Sequence, residues 1–319
     1  DPARWTPTWE HALWAIVILA ALALRLFPND SYALSSVEGS RAMAGWRLLS
    51  GAPPQWWDAP ALVTILAAVF LALGDSDFSA RLPSVVAGVA VVASMMLWRE
   101  RLGQWAALVA AALLAVSPTG LTMDRTVHEA GLATAIGFVV AFTMVSRWNE
   151  TSRSTSYILG IGAVLLLSLG ATGVSVLLSV VLFAIVRYAL AQGGTGGRPA
   201  WARVDPLAMT AALAVFIAVM KGGFQNLDGA AWGSAAVWVR QFDGGPEGSW
   251  LERWLFLVHA EPLALGLGGG AAGLTLARWV SGHVGPALEA AVPFTIWGIL
   301  GLVCYGFATA GLLELAYLM

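Results

Sequence analysis

Roughly ten apolar blocks, each about 14 to 23 residues long, follow one another along this chain, and nearly all its charge sits in the joints between them. A helix crosses the hydrocarbon of a bilayer in about 20 residues, because it satisfies its own backbone polar groups where water cannot. Composition agrees: 58% of the 319 residues are hydrophobic and 11% are charged, with a mean hydropathy of +0.75. A soluble domain carries about 25% charged residues. The pattern predicts an all-α polytopic transmembrane helical bundle of about 9–11 spans, formed as one transmembrane domain over 1–319.

The blocks assigned to helices are about 10–27, 60–74, 82–98, 105–117, 130–146, 157–170, 174–190, 206–220, 254–277 and 290–312. Blocks 60–74 and 105–117 are short for a span, so they extend into their flanks, tilt, or re-enter. The stretch 157–190 is broken by Gly170-Ala171-Thr172-Gly173, which reads as two helices meeting at a tight turn, with one long kinked helix as the other reading. Gly266 to Gly273 lies inside an apolar block, where glycine points to close helix packing. The first block lacks the small-residue cleavage site of a signal peptide and reads as a retained helix.

A net charge of −2 and the lack of any Lys/Arg block exclude a nucleic-acid partner. Cys304 is the only cysteine, which excludes disulfides and thiolate metal clusters within the chain. Among the 16 tryptophans, Trp9, Trp98, Trp105, Trp148, Trp201 and Trp254 sit at block edges, the pattern of a membrane-interface belt. Arginines are spread over alternate loops, with Arg41 and Arg47 against Arg99, Arg101, Arg147 and Arg153, and leave the orientation open.

Two polar segments are long enough to hold a site, 28–59 and 221–253. Within the first, 38–49 has helical spacing, with Met43, Trp46 and Leu49 on one side and Arg41 and Arg47 on the other. That is the pattern of an amphipathic helix lying in the interface. The two polar segments are expected on the same side of the membrane, in contact.

Asp58-Ala59-Pro60-Ala61-Leu62 before an apolar helix, the joint from Leu73 to Ser84, and Ser117-Pro118 together resemble the GT-C superfamily of membrane glycosyltransferases. Protein O-mannosyltransferases and the aminoarabinose transferases of lipid A belong to it, and an uncharacterised bacterial and archaeal branch is most similar. The likeness runs from about 30 to 305 and includes Gly229, Trp232, Gly233 and Trp238. It implies a GT-C-like fold in a prokaryotic cytoplasmic (inner) membrane. The enzyme would move a sugar from a polyprenyl phosphate to an extracytoplasmic acceptor. Family members usually continue past the position of Met319, so a C-terminal part is expected to follow.

Such a transfer needs a carboxylate to take the acceptor's proton and cationic contacts to hold the departing phosphate. The family's first-loop Asp-Glu pair is matched by Val37-Glu38, so the implied base is a valine. Asp58-Ala59 stands for His-Gly, and Asp124-Arg125-Thr126-Val127-His128-Glu129 for a basic residue followed by Asp. Thr172-Gly173 replaces a Lys-Glu pair, and Ala308 to Leu312 replaces a motif of the Glu-Lys-Met-Pro-Trp kind.

The remaining candidates are Glu38, Asp58 and Glu129 as catalytic carboxylates, with Arg81 and Arg125 toward a lipid phosphate. Each has a structural alternative. Glu38 suits the start of a helix, and Arg81 can pack at one. His128 and Glu129, adjacent on a helix, face different ways and make a poor metal pair. His259 and Glu261 lie within or near an apolar block, where ionisable groups are costly and often functional, and His11 lies at a block edge. No metal-ligand set is assigned. No cofactor is expected beyond a divalent metal if the chain is active.

Two functions remain. One is a catalytically degenerate GT-C-like protein acting as an accessory or scaffold subunit of a membrane complex, with membrane lipids and other membrane subunits as partners. The other is an active glycosyltransferase using a polyprenyl-phosphate donor. Convergence of Glu38, Asp58, Arg125 and Glu129 on one water-filled cavity would favour the enzyme.

Overall fold

The computed structural model describes residues 9–27, 33–52, 59–147, 152–191, 206–220 and 261–281, together with 255, 258–259, 291–292, 295–296 and 298–299. Eleven helices and no strand occur among them: α1 (Trp9–Leu26), α2 (Ser36–Leu49), α3 (Pro60–Leu73), α4 (Asp77–Leu102), α5 (Gln104–Val116), α6 (Pro118–Asp124), α7 (Ala130–Ser146), α8 (Arg153–Leu167), α9 (Gly170–Ala191), α10 (Pro206–Met220) and α11 (Pro262–Val280). The chain is an all-helical integral membrane protein. By length and composition α1 and the 77–100 part of α4 can each cross a bilayer, and the bent pair α5–α6 makes a third span if counted as one. Helices α3, α7, α8 and the 172–185 part of α9 are apolar but shorter. The expected 9–11 spans also draw on 254–277 and 290–312, of which the described residues cover a part.

The hydropathy boundaries hold closely, and where they move the cause is local. Helix α4 starts five residues before the apolar block at 82, because Ser76 and Ser79 form a reciprocal cap at its N-terminus. Gly103, at φ 90°, ends it. The short block 105–117 is a broken element: Pro118 has no N–H to continue the ladder, and the chain bends by 58° into α6. Ser117 Oγ accepts the Gly120 N–H at 3.0 Å and caps the new start. The stretch 157–190 is two helices, as the glycines suggested. Gly170 has φ 71°, and a Cβ at Gly173 would overlap the Leu166 carbonyl, so the hairpin closes only around glycine.

Small residues let the helices approach. Ala107, Ala111 and Ala115 line one side of α5 and are buried with Trp14, Ala21, Val92 and Met95 of α1 and α4. A second core joins Leu62, Leu66 and Phe70 of α3 to Leu166 and Val176 at the α8–α9 hairpin. One expectation is corrected here, and a second finds no support among the described residues. Trp98 is 4% exposed and meets Phe142 edge-on at 5.5 Å, so it is a core residue, whereas Trp9 and Trp105 are exposed as a belt requires. Glycines 266, 268, 269, 270 and 273 of α11 have no atom within 4 Å of where a Cβ would stand, so no close packing explains them among the described residues.

Candidate functional site

At one end of the bundle α2 lies across the start of α4 and the α6–α7 joint. It rests on α3, where Gly45 is required because a Cβ there would stand 2.7 Å from Leu66 Cβ. The expected helix 38–49 is therefore present, but its polar and apolar sides are turned unexpectedly. Glu38 is 7% exposed and Arg41 is largely covered, while Met43 and Trp46 face away from the bundle. The charged side packs on protein because ion partners wait there.

Ser35 and Glu38 form a capping box that starts α2, with the Ser35 N–H donating to Glu38 Oε2 at 2.9 Å. Arg81 Nε, from the first turns of α4, donates to Glu38 Oε1 at 3.1 Å. The Val127 N–H donates to the same oxygen at 3.1 Å. One turn further along α2, Arg41 donates to the Val127 carbonyl at 2.9 Å and pairs with Glu129 Oε2 at 3.0 Å. Thr172 of α9 donates to Glu129 Oε1 at 3.2 Å. Glu38 and Arg41 thus hold the Val127 peptide from both sides. Two ion pairs tie α2, α4, the 125–129 joint and α9 together.

Burial would raise the Glu38 pKa, but the Arg81 guanidinium and the Ser35 and Val127 N–H groups outweigh it and bring it down to about 2. His128 titrates below its ordinary range because burial disfavours its charge, with Glu129 opposing and Arg41 adding to the effect. Its Nδ1 accepts the Ala130 N–H at 3.1 Å, so the neutral ring carries its proton on Nε2.

The folded pKa of Glu38 lies below its ordinary 4.5, so its contribution is complete above that value and disappears as pH falls through about 2. Thermal unfolding in detergent should lose at most about 3 kcal/mol from this group between those pH values. Glu38→Gln should flatten that part of the profile.

A second charged joint holds α1. Arg25, near the end of α1, donates to Asp124 at 2.7 Å, with both side chains at or below 1% exposure. It also donates to the Ala115 and Leu114 carbonyls, each at 3.3 Å, where α5 breaks. Gly88 and Gly131 make room, because a Cβ at either would meet the Asp124 carboxylate. Beside it Arg125 Nε donates to the Leu24 carbonyl at 3.0 Å, which places this candidate phosphate ligand on the C-terminus of α1. Glu261, just ahead of α11, accepts from Ser117 Oγ at 2.6 Å and from the Thr119 N–H at 3.0 Å.

Of the sequence candidates, the structure brings Glu38, Arg81 and Glu129 together around Val127 and places Arg125 separately. Asp58 and the loop 221–253 lie outside the described residues, as do Trp148, Trp201, Trp254 and 308–312. His259 Nδ1 lies 2.7 Å from the Leu255 carbonyl and is exposed. No group of three His, Cys, Asp or Glu side chains could hold a metal among the described residues. Sequence reasoning missed Arg25 as the partner of Asp124, although an arginine inside an apolar block is itself a signal. Nothing in sequence could have paired Arg41 with Glu129, 88 positions away.

Residues 58–221, slightly more than half of the chain, match the family model for dolichyl-phosphate-mannose-protein mannosyltransferase. The chain belongs to that family. The mannosyltransferase-family chain also superposes on ArnT from Cupriavidus metallidurans, a structure solved with undecaprenyl phosphate, with a TM-score of 0.65 at 17% identity. The match covers 96% of this chain and 57% of that one, so the chain spans a little over half the length of ArnT. The fold is accordingly that of the GT-C membrane glycosyltransferases. An archaeal oligosaccharyltransferase, AglB from Archaeoglobus fulgidus, solved with an inhibitory peptide and a dolichol-phosphate, matches with a TM-score of 0.48 at 16% identity, over 92% of this chain and 37% of that one. No curated protein sequence matches the chain.

Proposed function

We propose that this GT-C-fold membrane protein is catalytically degenerate and serves as an accessory or scaffold subunit of a membrane complex. The observation that carries the reading is the state of Glu38. A general base needs a pKa near the working pH and an oxygen open to the acceptor. Glu38 has a pKa of about 2 and gives its oxygens to Arg81, Ser35 and Val127. Its neighbour Val37, which stands where relatives carry the base, is 60% exposed, so the position is open but chemically inert.

Three further points support it. Glu129 is closed between Arg41 and Thr172. The Lys-Glu pair of relatives cannot be accommodated at Thr172-Gly173, because the hairpin excludes any side chain at 173. Arg81 and Arg125, assigned to a lipid phosphate from sequence, are engaged with Glu38 and the end of α1. Polyprenyl phosphate, the ligand class seen with ArnT, would then bind here as a structural lipid if it binds. The test is purification from native membrane at low detergent, followed by a transfer assay with a polyprenyl-phosphate sugar. Co-purification with other membrane subunits and no transfer supports the reading. Turnover by the isolated chain overturns it.

A further inference from the structure

His128 stands in the α6–α7 joint beside residues of α2, α4 and α9, and one of its ring nitrogens is near two groups. Its backbone is fixed on α4: Ser84 Oγ donates to the His128 carbonyl at 2.9 Å and accepts the His128 N–H at 3.2 Å. The ring is therefore the part that can turn. Its Nδ1 accepts the Ala130 N–H, the first amide of α7, at 3.1 Å and lies 3.8 Å from Glu129 Oε2. Arg41 of α2 reaches the same Oε2 at 3.0 Å as an ion contact, and no donor is aligned on that oxygen for a hydrogen bond. The His128 side chain is 21% exposed, so a proton reaches it from solvent.

The two protonation states of the ring need different partners. Neutral Nδ1 has a lone pair for the Ala130 N–H; protonated Nδ1 carries a hydrogen and meets that amide donor to donor. The acceptor then within reach is Glu129 Oε2, about 1 Å beyond hydrogen-bond distance. Two cations, Arg41 and the imidazolium, would share one carboxylate. The other charged groups around the joint are already paired. Arg81 of α4 is held by Glu38, which stays ionised down to a pKa of about 2. Asp124 of α6 holds Arg25 of α1, and Arg125 lies on the end of α1. Helix α9 contributes the Thr172 hydroxyl, which donates to Glu129 Oε1.

We infer that His128 is a pH-sensitive catch on α2: when Nδ1 takes a proton, the ring leaves the Ala130 amide for Glu129, draws that carboxylate from Arg41 and loosens α2 on the joint. One proton enters from solvent and none leaves. Helix α2 keeps its Glu38–Arg81 pair and its seat on α3 at Gly45 and Leu48, so acid makes it open more often without detaching it. The catch works whether or not the chain transfers sugar, because neither donor nor acceptor enters it. Burial holds the pKa of the ring below the ordinary 6.5 while α2 is closed. Opening that exposes the ring therefore takes up a proton below that pH, and the opening constant rises by up to about tenfold per pH unit; above it the constant is flat.

The test is amide hydrogen exchange of the full chain in detergent between about pH 7 and pH 5, corrected for the intrinsic pH dependence of exchange. Peptides covering 36–44 should exchange about tenfold faster at the acid end, with little change in α3 or α5. His128→Asn places an amide oxygen where Nδ1 stands, so it still accepts the Ala130 N–H but takes no proton in this range. It should keep the protection seen at pH 7 and remove the acid response. His128→Gln, equally unable to titrate, serves if the first variant does not fold. A flat wild-type profile, an acid response that survives in either non-titrating variant, or a response equally large in α3 and α5 would each overturn the assignment.

Discussion

Asp124→Ala is expected to destabilise the bundle by about 3–5 kcal/mol, because it leaves the Arg25 guanidinium buried without its counter-ion. Truncating one member of a buried pair costs more than the pair is worth, since the remaining charge keeps its desolvation penalty. Replacing both charges with apolar groups removes that penalty. The double variant Arg25→Met with Asp124→Leu should therefore recover at least half of the loss in thermal or denaturant unfolding in detergent. Equal damage from single and double variants would mean that the carbonyl contacts of Arg25 at the α5 break matter more than the ion pair. Gly88→Ala should resemble Asp124→Ala, because the added methyl takes the space of the carboxylate.

The second large expected effect is an absence of rate. Loss of a single stabiliser of transition-state charge costs about 10²- to 10³-fold, and groups acting as a unit do not add. With Val37 at the base position and Glu38 neutralised by Arg81, sugar transfer from a polyprenyl-phosphate donor should stay at background. Glu38→Gln should leave that background and the protein's association with partner subunits unchanged, at a stability cost of about 1–3 kcal/mol from the weakened contact with Arg81. Measured transfer that falls by about 10²-fold or more in Glu38→Gln would restore the enzyme. Val37→Asp provides a sharper comparison. The position is exposed, so a carboxylate there should not unfold the chain, and a gain of transfer would show that only the base had been lost.

The ends of α7 and α10 could be read from hydropathy, and α2 from its helical spacing, because each is set by local chemistry. The break at Ser117-Pro118 was legible as a short block, for proline interrupts a helix whatever surrounds it. The glycine turn before α9 was legible for a similar reason, since Gly170 takes a positive φ that other residues resist. The family was visible in the Leu73–Ser84 joint. These features need a few neighbouring residues at most.

What the sequence could not show was how the charges are spent. Glu38 and Arg81 are 43 positions apart, Arg41 and Glu129 are 88, and Arg25 and Asp124 are 99. In the linear chain each could be a catalytic acid, a phosphate ligand or a solvated end charge. Only tertiary packing pairs them: α1 against α6 for Arg25 and Asp124, and α2 against α4 and the α6–α7 joint for the other two, which turns the charged side of α2 inward and leaves Met43 and Trp46 outside. The packing of α4 on α7 at the other end of the bundle buried Trp98, which edge position alone had assigned to the interface. Periodicity determined which segments are helices and that they belong in a membrane. Tertiary structure decided which ionisable groups meet, because in a low-dielectric interior a charge keeps the partner that folding brings to it.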